Sequence, residues 1–566
     1  MAGIEDVVNG LNISEISTEI EAAPANVIFD STDPYESLTG RTVSESRDDA
    51  AVAAASSDGG GRQNGDVGLL ELAVEAQPDL IFESDLVSSV NNIEERDPSQ
   101  QSPFVRPRVY LEKESFSQDD SISHTAASAS LASSICEESI PTVTEEDDGS
   151  DSPVWKSQKK HFFVLSEAGK PIYTRHGNEE QLVTLFGVMQ ALVSVVEDGQ
   201  DTMETILAGD TKFVFLHKSP LILVAVSKMK DSIQQLQLQL QYIYNQISSI
   251  ITGVQLERIF EQRRNYDLRR LLAGSERLMD NLVNYMDNDY SVLLGAVRCL
   301  PMPASDRDSV TQTIHQQCSK IKNLLFALLI GNNQLISLVR INKKHLLHPS
   351  DVHLVINLVY SSETFKTAEG WTPICLPHFD SRAFLYVHAS YLSDDCPACL
   401  LFFTTDRDSF FPLSDAKKNI VDRLRRHNNI LESITNALIH RPVNGSDPIT
   451  QLGVTDVRHF LYKSRASAQY TSANSCPPYQ HENGGQYLMD LYRHIHGRMH
   501  SPSRPLKVVC HTMEKEILFG WVTTAYELYM ILEPMATKQA VMQAASSVLK
   551  WIKREEETYF ITGSDK

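Results

Sequence analysis

From Trp155 to the C-terminus one order of elements recurs three times, and this recurrence constrains the fold more than any single motif. In the first unit HFFVLSEAGKPIYTRH (161–176) reads as two strands around a Glu-Ala-Gly-Lys turn, a β-hairpin pattern. The next stretch, 179–197, places Leu182, Leu185, Phe186, Met189, Leu192, Val193 and Val196 at i, i+3, i+4, i+7 spacing. That is an amphipathic helix, with Asn178 expected as its N-cap and Glu179 and Glu180 suited to its positive end. KFVFLHKSPLILVAVSK (212–228) gives two further strands, and Asp231 is expected to cap a long helix running to about Ile251.

The same grammar returns with different letters. LLFALLIGNNQLISLVRI (324–341) is a hairpin with a Gly-Asn-Asn turn, followed by a helix from Pro349-Ser350-Asp351 to about Tyr360. Strands are expected at 372–376, 383–391 and 398–405, then one helix over 414–438. The third unit opens with 457–473 and continues through a helix at 484–500, strands at 506–513, 517–524 and 526–532, and a helix at 536–553. Each unit is hairpin, helix, three-stranded meander, helix, recurring at roughly 130–160 residues, the period of repeated domains and not of a solenoid. The expected fold class is α+β (an α/β sandwich): three five-stranded, antiparallel-rich sheets with flanking helices, at 155–300, 301–445 and 446–566. A chain of 566 residues needs such a division, because single cores stop growing near about 250–300 residues.

Residues 1–154 differ in composition. Of 73 acidic and 51 basic residues in the chain, 32 and 7 lie in this segment, leaving 41 and 44 for the rest. The net charge of −22 therefore belongs to the segment before Trp155, and the remainder is near neutral. Without a basic excess the chain is not expected to bind nucleic acid. Ser-, Ala- and Gly-rich runs such as 53–66 and 121–134 bury too little apolar surface to offset chain entropy, so the tail is expected to be disordered. Its apolar islands (Val27-Ile28-Phe29, Leu80-Ile81-Phe82, Phe104-Val105) read either as scattered residues or as short docking motifs. Ser117, Ser121, Ser123 and Thr144 are candidate phosphate acceptors. The tail is also a candidate autoinhibitory flap. The N-terminus has neither the basic nor the apolar region of a secretory signal, and no uncharged apolar run reaches about 18 residues. The expected location is cytoplasmic.

Chemical constellations fail on spacing. Ala168-Gly169-Lys170-Pro171 lacks the preceding Gly and following Ser/Thr of a phosphate loop and sits in a β-turn. Cys396-Pro-Ala-Cys399, with His388 upstream, is a lone CxxC without a second pair, read as a strand-entry turn. His496 and His500 stand at i, i+4, with His494, His481 and His511 nearby, but Gly497 occupies the position of a zincin's Glu, so they read as surface histidines. No cofactor or metal is expected. Exposed sheet edges and amphipathic helices instead suit protein–protein contact. Basic residues at Lys343, Lys344, Lys417, Lys418, Arg423, Arg425 and Arg426 read either as solvated surface or as a contact for anionic lipid.

Three runs carry a family resemblance: WKSQKKHFFVLSEAGKPIYTRHG (155–177), LLAGSE (271–276) and LPMP (300–303). In this order, behind an acidic variable tail, they resemble the Mon (SAND) vacuolar fusion proteins, which are built of three longin domains. The resemblance implies pairing with a Ccz-type tri-longin subunit and guanine-nucleotide exchange on the late-endosomal/lysosomal Rab GTPase. It also implies recruitment by an early-endosomal Rab to phosphoinositide-bearing endosome and lysosome or vacuole membranes. Exchange works by differential binding of nucleotide-free GTPase, without covalent chemistry. The family's platform lies on the first domains, which directs attention to Lys170, Tyr173, Arg175, His176, Asn178 and Glu179. These residues read equally as hairpin surface or partner contact. The alternative function is a non-catalytic longin tether or adaptor scaffold.

Overall fold

The computed structural model describes residues 153–342, 344–362, 364–426, 429–439, 448–481 and 483–562. The acidic segment, with its docking islands, phosphate acceptors and proposed flap, and Lys343 lie outside the described residues.

Three sheets form in sequence order. The first follows a short helix α1 (Pro153–Ser157) and contains β1 (Lys160–Ser166), β2 (Pro171–Thr174), β3 (Thr205–Ala208), β4 (Thr211–Lys218) and β5 (Leu221–Ser227) in the order β2-β1-β5-β4-β3. β1 and β5 are interior strands, which is why both are buried along their whole length. Helix α2 (Val183–Asp198) packs on one face, where Phe163, Phe186 and Val224 are buried together. On the other face lie α3 (Ile233–Ile250), α4 (Gly253–Gln262), α5 (Arg269–Leu272) and α6 (Glu276–Asn288), whose Leu236, Leu240, Met279 and Leu282 are buried with Phe162 and Val164.

Two expected caps are corrected. Ser232, not Asp231, caps α3, in a capping box with Gln235, which frees the Asp231 side chain for ion pairing. Asn178 accepts from the Glu180 N–H in a turn ahead of α2, which itself begins at Val183 without a side-chain cap.

After α7 (Tyr290–Leu294), the two-residue strand β6 (Val297–Arg298) and α8 (Ala304–Cys318), the second sheet comprises β7 (Leu324–Gly331), β8 (Gln334–Arg340), β9 (Gly370–Leu376), β10 (Asp380–Ser393) and β11 (Cys396–Thr404). Its order, β8-β7-β11-β10-β9, repeats that of the first. Asn332 and Asn333 both adopt positive φ in the two-residue hairpin loop, as a turn matching strand twist requires. Helix α9 (Pro349–Ser361) covers one face and α10 (Thr364–Thr367) precedes β9. The helix expected over 414–438 is two, α11 (Phe410–Arg426) and α12 (Ile430–Ile439). Asn429 at φ +51 stands at the break, its side chain donating to Glu432 at 3.0 Å.

The third sheet follows α13 (Pro448–Leu452) and holds β12 (Val457–Ser464), β13 (Gln469–Ser472), β14 (Val508–Thr512), β15 (Ile517–Val522) and β16 (Tyr526–Leu532), with α14 (Gly484–Met499) and α15 (Lys538–Tyr559) on its faces. A sixth strand is added: β6, from the segment between the first two sheets, pairs parallel to β13. The next residue, Cys299, forms a parallel bridge to Leu335 of β8. Residues 297–299 thus occupy one edge of the second and third sheets at once, blunting both against unwanted strand pairing.

Apolar packing is also shared across units. Leu354 of α9 is buried among first-domain side chains, and Leu294 and Ala296 among those of the third.

Candidate functional site

The first hairpin carries the six residues expected at an interface, and the structure divides them. Tyr173 is buried, and its phenol donates to Asp280 on α6 at 2.7 Å. Burial first, and then the Asp280 charge, push the phenol well above its ordinary range. The Arg175 guanidinium reaches Asp280 at 2.9 Å and the Asn284 side-chain oxygen at 2.6 Å. Glu179 accepts from the Thr174 N–H at 3.2 Å, tying the start of the next segment to β2. His176 is half-buried; its carbonyl accepts from the Trp155 indole at 3.0 Å, and burial, then Arg175, lower its imidazole from the ordinary value. Lys170 and Asn178 are exposed, with Lys170 Nζ donating to the Asn265 carbonyl at 2.7 Å.

Helix α6 is the element beside the candidate residues that sequence reading missed. Asp280, Asn284 and Asp287 stand at i, i+4 and i+7, a polar stripe beside the buried Met279, Leu282, Val283 and Met286. This spacing was the available signal, but it does not name the partners. Asp280 and Asn284 hold the β2 edge. Asp287 instead joins a buried cluster with Lys160 of β1, Asp231 and Arg493 of α14.

In that cluster Lys160 Nζ lies 3.1 Å from Asp231 and 2.8 Å from Asp287. Arg493 lies 3.3 Å from Asp231 and 3.1 Å from Asp287, and also donates to the Asp287 carbonyl at 3.2 Å. Asp231 has no exposed surface, and Arg493 keeps 2%. Burial would raise the Asp231 carboxyl; Lys160 and Arg493 outweigh it and hold the group below its ordinary value. Gln239 donates to Asp231 at 3.4 Å and accepts from Lys160 at 3.2 Å, and Gln235 donates to the Arg493 carbonyl at 2.9 Å. Two cations and two carboxylates therefore close the contact between the first and third domains, with further hydrogen bonds meeting their remaining donors and acceptors.

Models of the first, second and third longin domains of FUZ, MON1 and HPS1 match residues 160–282, 322–422 and 456–556. The chain is 45% identical over 427 residues to vacuolar fusion protein MON1 homolog A of Gallus gallus, covering 75% of this chain and 76% of that protein. It is 45% identical over 421 residues to Protein SAND of Takifugu rubripes, covering 74% and 79%. With MON1 homolog B of Mus musculus it shares 39% over 433 residues, covering 74% and 78%. The chain belongs to the MON1 family of vacuolar fusion proteins.

The three sheets of this MON1-family chain are accordingly longin domains. Among the described residues, no helix is long and apolar enough to cross a membrane. On the second longin domain Lys344, Lys418, Arg423, Arg425 and Arg426 are exposed. Lys418 pairs with Asp415 at 3.4 Å and Arg426 with Asp422 at 3.5 Å along α11. Lys417 departs from this group: its ammonium turns to Glu369 at 3.4 Å, where the buried His388 also binds at 3.1 Å.

The CxxC is not a turn at all, because Cys396 and Cys399 both lie within β11. Residues three apart in a strand point to opposite faces, and Cys396 is buried on one side of the sheet and Cys399 on the other. One metal cannot bridge them. Burial pushes the Cys399 thiol up to about 12.

The histidines of α14 are also less superficial than expected. His496 is half-buried and lowered to about 3 by burial, then by His500, so it is neutral. Its ring, that of the exposed His500 and the buried Glu527 carboxylate have ligand atoms within 4.8 Å of one another. That carboxylate already accepts from Lys463 at 3.0 Å and Tyr529 at 3.1 Å, with Arg465 at 3.7 Å. His500, in turn, meets the Tyr529 hydroxyl at 2.8 Å. Burial would raise Glu527, but His500 and Lys463 hold it at about 2. Two cations beside the carboxylate make this a hydrogen-bonded ion network and oppose a dication. His494 packs its ring on His511, with centroids 5.5 Å apart.

Proposed function

We propose that this chain is one subunit of a heterodimeric guanine-nucleotide exchange factor for the late-endosomal/lysosomal Rab GTPase. The partner is a Ccz-type tri-longin subunit, and the pair acts in endosome maturation and in fusion at the vacuole or lysosome. Family membership supports the trafficking role. The observation that carries the paired arrangement is the state of the first domain's β3 edge. Among the described residues β3 pairs only with β4 and exposes Leu207; β2, β9 and β14 likewise end their sheets, whereas β8 and β13 are occupied by residues 297–299. Exposed Val183 and Val195 on α2 add apolar surface to the same domain. An unpaired edge with apolar side chains suits a second longin domain.

The hairpin end then contacts the GTPase through Lys170, Asn178 and the outer surface of Arg175, backed by Tyr173, His176 and Glu179. Binding that favours the nucleotide-free state shifts the population toward GDP release, and no cofactor is required. The exposed basic residues of the second domain contact a phosphoinositide-bearing membrane, with an early-endosomal Rab as recruiter.

The test is capture of the partner and of the GTPase. A Ccz-type subunit should copurify with the full chain, and the pair should retain nucleotide-free GTPase over the GDP-loaded form. Equal retention of both forms by an intact pair would return the tether or adaptor scaffold.

A further inference from the structure

We infer that Arg493, although it belongs to the third domain, is a positioning residue for the hairpin surface of the first. The role in exchange rests on the proposed function above; the mechanical coupling does not. The link is helix α6. At one end Asp280 and Asn284 hold Tyr173 and Arg175 of the β2 edge. Two turns on, Asp287 receives Lys160 and Arg493. The three side chains share one stripe of a single helix, so the placement of one end fixes the other.

Arg493 contributes more than a point charge. Its fork spans Asp231 at the start of α3, Asp287 on α6 and Asp490 on its own helix at 3.3 Å. A planar guanidinium sets the distance between two helices of the first domain in a way that an ammonium cannot. At 2% exposure it is inaccessible to a GTPase or a partner subunit, so any effect of replacing it on the hairpin must pass through the buried cluster, by α6, by α3 or by Lys160 on β1. The proposed partner edge β3 lies at the other end of the sheet, separated from β2 by three strands. Partner capture and hairpin placement are therefore separable.

The experiment compares the full-length wild type with Arg493→Met, which keeps stem length, and Arg493→Lys, which keeps a charge but not the fork. Amide hydrogen exchange at 276–288 and 171–176 should quicken by roughly tenfold in Arg493→Met, with α2 on the opposite face of the sheet unchanged and Arg493→Lys between. Partner capture should persist, while GDP release by the pair at saturating GTPase falls by about tenfold. Faster exchange confined to 484–499, with 171–176 at the wild-type rate, would overturn the coupling. Coupled exchange with unchanged GDP release by an active pair would overturn the positioning role. If the wild-type pair releases no GDP, the exchange reading fails and the amide data alone decide the coupling. Should Arg493→Met not fold, Arg493→Gln, which removes the charge and the fork but keeps a donor, carries the same comparison.

Discussion

His353 of the second domain and Tyr242 of the first meet, ring nitrogen Nδ1 to phenol oxygen, at 2.8 Å, both side chains buried. The other ring nitrogen lies 3.1 Å from the Ala296 carbonyl, which only accepts, so Nε2 carries the proton and Nδ1 accepts from Tyr242. One neutral imidazole thereby joins two longin domains and the segment between them.

Burial lowers His353 from 6.5 to about 4. Below pH 6.5 the unfolded chain takes up a proton that the native site refuses. Stability is therefore full above the unfolded value and is lost as pH falls toward 4, by up to about 3 kcal/mol from this group. His161 and His459, both held at about 3 by burial, act in the same direction. In urea titrations from pH 7.5 to 4.5, His353→Gln should flatten the decline by its share. An unchanged slope would show that the histidine is not neutral in the native state.

Arg307 on α8 donates to the carbonyls of Leu300, Glu557, Thr558 and Phe560 at 2.6–3.0 Å. It closes the C-terminal end of α15, whose last carbonyls lack helical partners, and ties the third domain to the second. Arg307→Met should lower stability by about 3 kcal/mol or more. The loss should show as early melting of α15 in hydrogen exchange. Wild-type protection of 550–560 would contradict this account.

The grammar of hairpin, helix, meander and helix was legible because interior strands such as β5 are apolar throughout and α2 keeps a helical period. Asn332-Asn333 likewise announces its turn. Three features were not legible for physical reasons. β6 has two residues and no periodicity, and its pairing is set by tertiary geometry. The break at Asn429 depends on one positive φ that the flanking helical pattern overrides. Lys160, Asp231, Arg493 and Asp287 are far apart in sequence, and charges normally read as surface. The candidate hairpin residues were chosen by position, and the hold of α6 on Tyr173 and Arg175 was not legible, since a carboxylate stripe does not name its partners.

The thiols offer a clean check of strand geometry. Under mild oxidation of folded protein, mass spectrometry should find no Cys396–Cys399 disulfide, because the two side chains lie on opposite faces of β11. Appearance of that bond without unfolding would contradict the sheet register of β11 with β7 and β10.

Charge reversal should separate the basic residues of the second domain. Replacing Arg423, Arg425 and Arg426 by Glu should weaken binding to phosphoinositide vesicles by about 1 kcal/mol or more per residue, without a change in melting temperature. Lys417→Glu should act oppositely, lowering stability through repulsion from Glu369. Equal vesicle binding by the triple variant would place the membrane contact elsewhere.

The unpaired β3 edge predicts that Leu207→Asp reduces partner capture by at least roughly tenfold while leaving stability within about 0.5 kcal/mol. Undiminished capture would move the partner to another face.

The most direct test is release of a fluorescent GDP analogue from the late-endosomal Rab, followed with this chain alone, with a Ccz-type subunit alone, and with both. Acceleration by the pair, absent with either chain alone and reduced by substitution of Lys170 and Asn178, is the predicted result. A stable, correctly assembled pair that leaves the spontaneous release rate unchanged would contradict the exchange account.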